Sequence, residues 1–269
     1  MNIHKTAIIN PKAELADDVE VGAYVIIEEN VKIGKGTKIG AHTYITGWTE
    51  IGENCQIHMG VILGNEPQVA GYKGERSYVL IGDNNIIREY VTIHRAMEED
   101  GVTKIGNDNF IMANVHIAHN CIIGNNVTIT NFAGLTGHIE VEDDAVISGL
   151  VAIHQFVKIG RLSMIGGASK VTQDVPPYIL VDGHPARAYG LNLVGLKRIG
   201  ISDSIRSDLQ KAYRLLYRSS LNITDALKKI EEELPPSDEV KHLVEFIRNS
   251  KRGICREKDL RLKATDYTD

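Results

Sequence analysis

Ile123-Gly124-Asn125-Asn126-Val127-Thr128 is a six-residue phrase that the chain repeats, as in Ile33-Gly34-Lys35-Gly36-Thr37-Lys38. Working outward in steps of six, every position from Ile3 to Val171 is Ile, Leu or Val, except Glu75 and Glu99. A helix repeats every 3.6 residues and a half-buried strand every two, so neither gives this pattern. A fixed internal period marks a solenoid. The second position is often Gly, and Gly or Asn often follows at the third or fourth, types that tolerate the positive φ of tight turns. The fifth is small or β-branched, as at Ala7, Thr37, Cys55, Val61, Val115, Cys121, Ala133 and Ser163. Each phrase reads as a short strand and a turn, with positions one and five facing inward. Stacked phrases bury an aliphatic column that no single unit could bury alone.

The pattern resembles the left-handed parallel β-helix of bacterial acyltransferases, in which three phrases make one triangular coil of 18 residues. The resemblance supplies the handedness, because the general rule for β-crossovers is right-handed. Coils are expected about 4.8 Å apart, the parallel-strand spacing. Residues 64–80 and 96–104 lose the small fifth position and gain charge at Glu66, Lys73, Glu75, Arg76, Glu98, Glu99 and Asp100. They read as loops thrown out from the wall, and long loops on a regular scaffold are usually functional.

The solenoid is expected to span residues 1–190, because Asp174-Val175-Pro176-Pro177-Tyr178 brings prolines that cannot continue a ladder. A helical domain is expected over 191–269. Ile205, Leu209, Ala212 and Leu216 form one helical stripe, Ile223, Leu227, Ile230 and Leu234 a second, and Val240, Leu243, Val244 and Ile247 a third. Pro235-Pro236 separates the last two, Ser237 or Asp238 caps the third, and Gly253 follows it. The tail from Arg256 to Asp269 is polar and reads as disordered. Such helices would cover an open solenoid end.

Composition narrows the class. No apolar run is long enough for a membrane span, and Met1-Asn2-Ile3-His4-Lys5 is not a signal-peptide start. Cys55, Cys121 and Cys255 have no metal or redox spacing, so a reducing, cytoplasmic setting is expected. Residues 1–176 hold 13 Lys and Arg against 21 Asp and Glu, and residues 177–269 hold 17 against 14. An acidic partner is therefore expected at the C-terminal part, and no nucleic acid.

Histidines gather in the second half of the solenoid, at His116, His119, His138 and His154. With 18 residues per coil, His119 lies over Gly137 and Gly137 over Gln155. Histidine suits general-base work near neutral pH, and an exposed N–H at Gly137 suits an oxyanion. His94 lies on the same side, off this stack.

The ordered motifs Val91-Thr92-Ile93-His94-Arg95, Asn114 to Cys121, Ala133 to His138, Ala152 to Phe156, Gln173 to Tyr178 and Gly195-Leu196-Lys197-Arg198 resemble the UDP-N-acetylglucosamine O-acyltransferases, which open lipid A biosynthesis. The resemblance covers nearly the whole chain. It implies transfer of a 3-hydroxyacyl group from acyl carrier protein to the sugar 3-position, with His119 as general base and the Gly137 backbone as oxyanion donor. It implies sugar, phosphate or acyl contacts for His116, His138, His154, Gln155, Gln68, Lys73, Asn192 and Arg198. Met164 and Gly167 fall in the acyl-chain region, with Gly167 leaving room for a long chain. It further implies a homotrimer with sites between subunits, and no metal or cofactor beyond the carrier's phosphopantetheine arm.

Several residues depart from the family pattern. Asn120 follows the base where better-known members carry aspartate, and an amide supports an imidazolium less well than a carboxylate. Val69 and Gly71 stand where the family places an Asp and a Lys, Val194 replaces a Glu, Ile199 an Arg, and Pro185 often a His. An alternative acceptor is therefore the 3-amino analogue of the sugar nucleotide, since an amine needs less help from a base. Two further readings are a later N-acyltransferase of the pathway, which has an extra N-terminal domain where this repeat starts at Ile3, and a trimeric β-helix carbonic anhydrase with three imidazoles on zinc.

Overall fold

In the computed structural model, which describes residues 2–257, the repeat folds into a left-handed parallel β-helix followed by a small helical region. Its three sheets hold 11, 9 and 8 strands among the described residues, mostly of two residues each. Successive coils pair in parallel at an 18-residue offset, as in Ile3↔Val21, Ile117↔Leu135 and Leu135↔Ile153. The first-position column (Ile45, Leu63, Ile93, Ile117, Ile129) and the fifth-position column (Val61, Val115, Cys121, Val127) are fully buried. Each such aliphatic side chain contributes about 1.5–3 kcal/mol relative to exposure.

Two local expectations need correction. Apart from Gly64 (φ +77°), which sits at the bulge after Leu63, the second-position glycines adopt no left-handed φ; they are small because coils touch there. A Cβ on Gly34 would fall 2.6 Å from the Gly52 carbonyl carbon, and one on Gly52 2.7 Å from that of Gly82. Positive φ belongs to the fourth position, and not only for Gly or Asn: Tyr24, Tyr90, Phe132, His138, Leu150 and Phe156 lie between φ +50° and +65°. That conformation costs such residues about 1–2 kcal/mol. Stacking along the solenoid edge offsets it, as for Tyr24 on His42 (5.1 Å) and His138 on Phe156 (4.6 Å).

The excursions are narrower than the sequence suggested. Ile62–Asn65, Tyr78–Ile81 and Val102–Ile105 are strands of the wall, so the loops span 66–77 and 95–101. The coil offset widens to 30 residues at Leu63↔Ile93 and 24 at Ile93↔Ile117. Val69 keeps the six-residue period by coincidence, since it lies in the first loop. The loops fasten to each other: the Ser77 hydroxyl donates to the Ala96 carbonyl, Tyr78 N–H to the Gly101 carbonyl (2.9 Å), and Arg76 pairs with Asp100 at 2.6 Å.

The prolines do not end the ladder. Pro176 and Pro177 occupy a corner, where no ladder N–H is required, and Ile179–Asp182 then pairs in parallel with Met164–Ile165. Arg187–Leu191 then pairs with it antiparallel. Among the described residues four helices follow: α1 (Leu193–Arg198), α2 (Asp203–Tyr217), α3 (Ile223–Glu233) and α4 (Asp238–Arg248). Asn192, Ser202, Asn222 and Ser237 cap their N-termini, each accepting from a backbone N–H three residues on. The short α1 has no full apolar stripe and escaped the periodicity argument. Gly253 follows α4, whose C-cap is Asn249. It belongs to a return segment: Ile254 bridges to Asp174, Glu257 to Ala188, and Cys255 is buried. Arg256 and Glu257 are thus placed against the solenoid, and the remainder of the expected tail lies outside the described residues. His242 of α4 reaches back to Glu142 (3.0 Å) and Tyr178 (3.1 Å), fixing the helices to the wall.

Candidate active site

The 18-residue coil stacks the predicted residues. His138 N–H donates to the His119 carbonyl (3.0 Å), and Phe156 N–H to that of Gly137 (3.2 Å), so His119, Gly137 and Gln155 form one column along an edge. The next residues, Asn120, His138 and Phe156, are the left-handed corner residues of the same three coils.

His119 is 5 % exposed. Its Nδ1 lies 2.9 Å from Asn120 Oδ1. Its other nitrogen faces Gly137, where a Cβ would come 3.0 Å from Nε2 and Cε1. Gly137 has φ +121°, a conformation that disfavours any side chain, so glycine is required twice over. Among the described residues its N–H donates to no backbone carbonyl. His138 meets His119 edge-on at 5.1 Å. Burial, then the neighbouring His119, lowers the His138 pKa below the usual histidine value.

A second pair sits one strand back. His94, which the stack omitted, meets His116 edge-on at 5.2 Å. His94 Nδ1 bonds the Glu66 carbonyl, and His116 Nδ1 lies 2.8 Å from Thr92 Oγ1. Burial lowers the pKa of both below the usual histidine value. His154 is exposed and lies 3.3 Å from Arg252, while Gln155 donates to the Thr136 carbonyl (3.1 Å). The rings of His94 and His116, and of His119 and His138, meet edge to face, and among the described residues no three His, Cys, Asp or Glu side chains are placed to share a metal.

Gln68 and Lys73 are exposed on the 66–77 loop. Arg95, unremarked in the sequence, holds that loop down: it donates to the Gly64 carbonyl (3.1 Å) and the Tyr72 hydroxyl (3.1 Å), and pairs with Glu66 at 3.5 Å. The remaining expected residues do not join the cluster within one chain. Asn192 is buried, its amide donating to the Leu162 carbonyl (2.9 Å) and its oxygen capping α1 (3.0 Å). Arg198 is exposed at the end of α1. Met164 pairs in the wall with Val146 and Leu180, and Gly167 is exposed, with only the Gly149 carbonyl 3.6 Å from a built Cβ. Beside Asn120 and His138 opens a cleft of roughly 430 Å³, rimmed by Lys158, Lys251 and Arg252 and by Glu98 and Glu140.

Comparison with known proteins shows the family. The family model described as Udp N-acetylglucosamine O-acyltransferase, domain 2, matches residues 174–255, and the bacterial transferase hexapeptide model matches 30–65 and 103–137. A relative from Thermodesulfovibrio yellowstonii, named acyl-[acyl-carrier-protein]–UDP-N-acetylglucosamine O-acyltransferase, is 56 % identical over 94 % of this chain and 99 % of its own length. The chain belongs to that family. A relative of the same name from Syntrophobacter fumaroxidans is 52 % identical over 95 % of this chain and 100 % of its own. The solved UDP-N-acetylglucosamine acyltransferase from Bacteroides fragilis superposes with a TM-score of 0.93 at 42 % identity, covering 94 % of this chain and all of that one. As an acyl-[acyl-carrier-protein]–UDP-N-acetylglucosamine O-acyltransferase family member, the chain is an acyltransferase. Among the described residues no helix is long and apolar enough to cross a membrane.

Proposed function

We propose that this chain transfers an acyl group from the thioester of acyl carrier protein to the 3-hydroxyl of UDP-N-acetylglucosamine, in lipid A biosynthesis. The observation that carries the reading is the buried His119, with Nδ1 engaged by Asn120 and Nε2 turned to Gly137. Nε2 takes the hydroxyl proton as the sugar oxygen bonds to the thioester carbon. The carbonyl becomes an oxyanion, which the Gly137 N–H stabilises. Collapse breaks the carbon–sulfur bond, and the imidazolium returns its proton to the leaving thiolate. The chemistry needs no cofactor beyond the carrier's phosphopantetheine arm. His116, His138, His154 and Gln155 line the column on which the sugar nucleotide or acyl group would lie, with Gln68 and Lys73 on the loop above.

A homotrimer with sites between subunits fits two features. One solenoid edge exposes an apolar column, Tyr90, Phe132 and Leu150, and its adjoining wall exposes Ile8 and Ile26. Asn192, Arg198, Met164 and Gly167 sit away from the chain's own histidines, where a neighbour's site would find them. The basic rim at Lys158, Lys251 and Arg252 suits an acidic carrier. A cytoplasmic location fits acyl carrier protein as donor. The relatives' name specifies an oxygen acceptor, which favours the hydroxyl sugar over its 3-amino analogue.

The test is product mass spectrometry on purified protein given 3-hydroxyacyl carrier protein and either UDP-N-acetylglucosamine or its 3-amino analogue. An ester from the hydroxyl sugar, absent with His119→Ala, is expected. An amide alone would overturn the acceptor, and an unimpaired His119→Ala the base.

A further inference from the structure

We propose that Glu98 is a positioning residue for the base, supplying through Asn120 the carboxylate that the residue beside His119 lacks. This rests on the reading of His119 as general base. Asn120 Nδ2 donates to Glu98 Oε1 at 2.6 Å, while its Oδ1 sits 2.9 Å from His119 Nδ1 and accepts from the Met97 N–H at 3.2 Å. Its own N–H donates to Thr103 Oγ1 (2.8 Å), which fixes the backbone beneath the amide. Glu98 and Met97 belong to the 95–101 excursion, so one loop brings both groups to Asn120.

The chemistry leaves one arrangement. A carboxylate only accepts hydrogen bonds, so it requires the NH2 end of the amide. The Met97 N–H requires the oxygen end. The oxygen therefore faces His119, Nδ1 must be the protonated nitrogen, and Nε2 keeps the lone pair that a base needs. An unrestrained asparagine could turn its NH2 to Nδ1 and select the other tautomer, in which Nε2 carries the proton. When His119 takes a proton, the charge on Glu98 acts along the same line to stabilise the imidazolium.

The loop is shaped around this contact. A Cβ on Gly101 would fall 2.8 Å from the Glu98 carboxyl carbon, so only glycine leaves the carboxylate its place. The Gly101 N–H also donates to the Glu98 carbonyl (3.0 Å). Glu98 raises the His138 pKa against the effects of burial and of His119, so its field reaches the column. The nearest other titratable groups are His94 and His138, with Glu140, Lys158, Lys251 and Arg252 around the cleft. Glu98 is exposed, so solvent screens its charge and the effect is modest.

The experiment combines 15N NMR of histidine-labelled protein with steady-state kinetics, for wild type, Glu98→Gln, Glu98→Ala, Asn120→Asp and the Glu98→Ala/Asn120→Asp double variant. In wild type the neutral His119 ring is expected to carry its proton on Nδ1. Its proton affinity should fall about threefold in Glu98→Gln, where the amide contact survives and the charge does not. Glu98→Ala should lower kcat/KM by about tenfold and move its acidic limb to lower pH, with little change in the KM for the sugar nucleotide. In the Asn120→Asp background, removing Glu98 should cost nothing, because the aspartate supplies the charge itself. Unchanged His119 titration in both Glu98 variants would overturn the proposal, as would an equal loss in both backgrounds, which would mark Glu98 as merely structural. Wild type that makes no ester would instead overturn the assigned reaction, and the NMR titration would still decide the role of Glu98.

Discussion

Gly137→Ala puts the column to a quantitative test. At φ +121° an alanine is strained by about 1–3 kcal/mol. Its Cβ would also fall 3.0 Å from two atoms of the His119 ring and 3.4 Å from the His119 carbonyl oxygen. Ordinary carbon contacts begin near 3.5 Å, so the imidazole must retreat by several tenths of an ångström. It cannot do so freely, because Nδ1 is tied to Asn120 at 2.9 Å and His138 packs against it at 5.1 Å. Misplacing a catalytic group by about 1 Å costs about 100-fold, so a loss of about 10- to 100-fold in kcat is expected. The urea midpoint should fall by the equivalent of about 1–3 kcal/mol. The matched control is Gly47→Ala, whose Cβ meets only the Glu29 carbonyl at 3.6 Å. That change should lie within about 0.5 kcal/mol of wild type and keep full activity. Both are read from urea titrations at one protein concentration and from product formation with saturating acyl carrier protein. Wild-type kcat in Gly137→Ala would refute the placement of His119 Nε2 against Gly137.

Two further outcomes follow from the same geometry. Burial lowers the pKa of His94, His116 and His138 in the folded chain, so below about pH 6.5 the unfolded chain binds more protons than the folded one. Their contribution is fully present above that pH and is lost as pH falls toward the depressed folded values; urea midpoints between pH 7.5 and 5 should decline, and less steeply in His94→Gln, with an identical slope counting against it. Arg95→Lys keeps the charge but cannot serve Gly64, Tyr72 and Glu66 at once; the 66–77 loop should become a site of limited proteolysis and KM for the sugar nucleotide should rise several-fold, by about 1 kcal/mol of lost bonding, while intact protease resistance would show that the loop is held otherwise.

The solenoid was legible because its signal is local and repeated. Each phrase specifies the same strand and corner, and the 18-residue coil that the family resemblance implies then places His119 over Gly137. The three long helices were legible for the same reason, through stripes of 3.6-residue period and caps such as Ser237. What escaped were places where that signal is absent or misleading. Pro176 and Pro177 looked like a stop because a ladder needs N–H groups, yet they fall in a corner that needs none. Asn192 caps α1, a helix too short to show an apolar stripe in the sequence.

The amino-acid sequence by itself determined a solenoid of six-residue strands and corners and its aliphatic core, since both follow from a period that short-range sterics translate directly into geometry; the 18-residue coil, and with it the vertical order of the histidine column, came from the family resemblance. Only the tertiary structure decided what the aperiodic segments do. Arg95 clamps the first loop, Glu98 arrives at Asn120 from the second, and Ile254 and Glu257 return to the solenoid after the helices. Those placements depend on the loops closing against one another and against the wall, through contacts between residues some 20 to 80 positions apart, and no local spacing encodes such a closure.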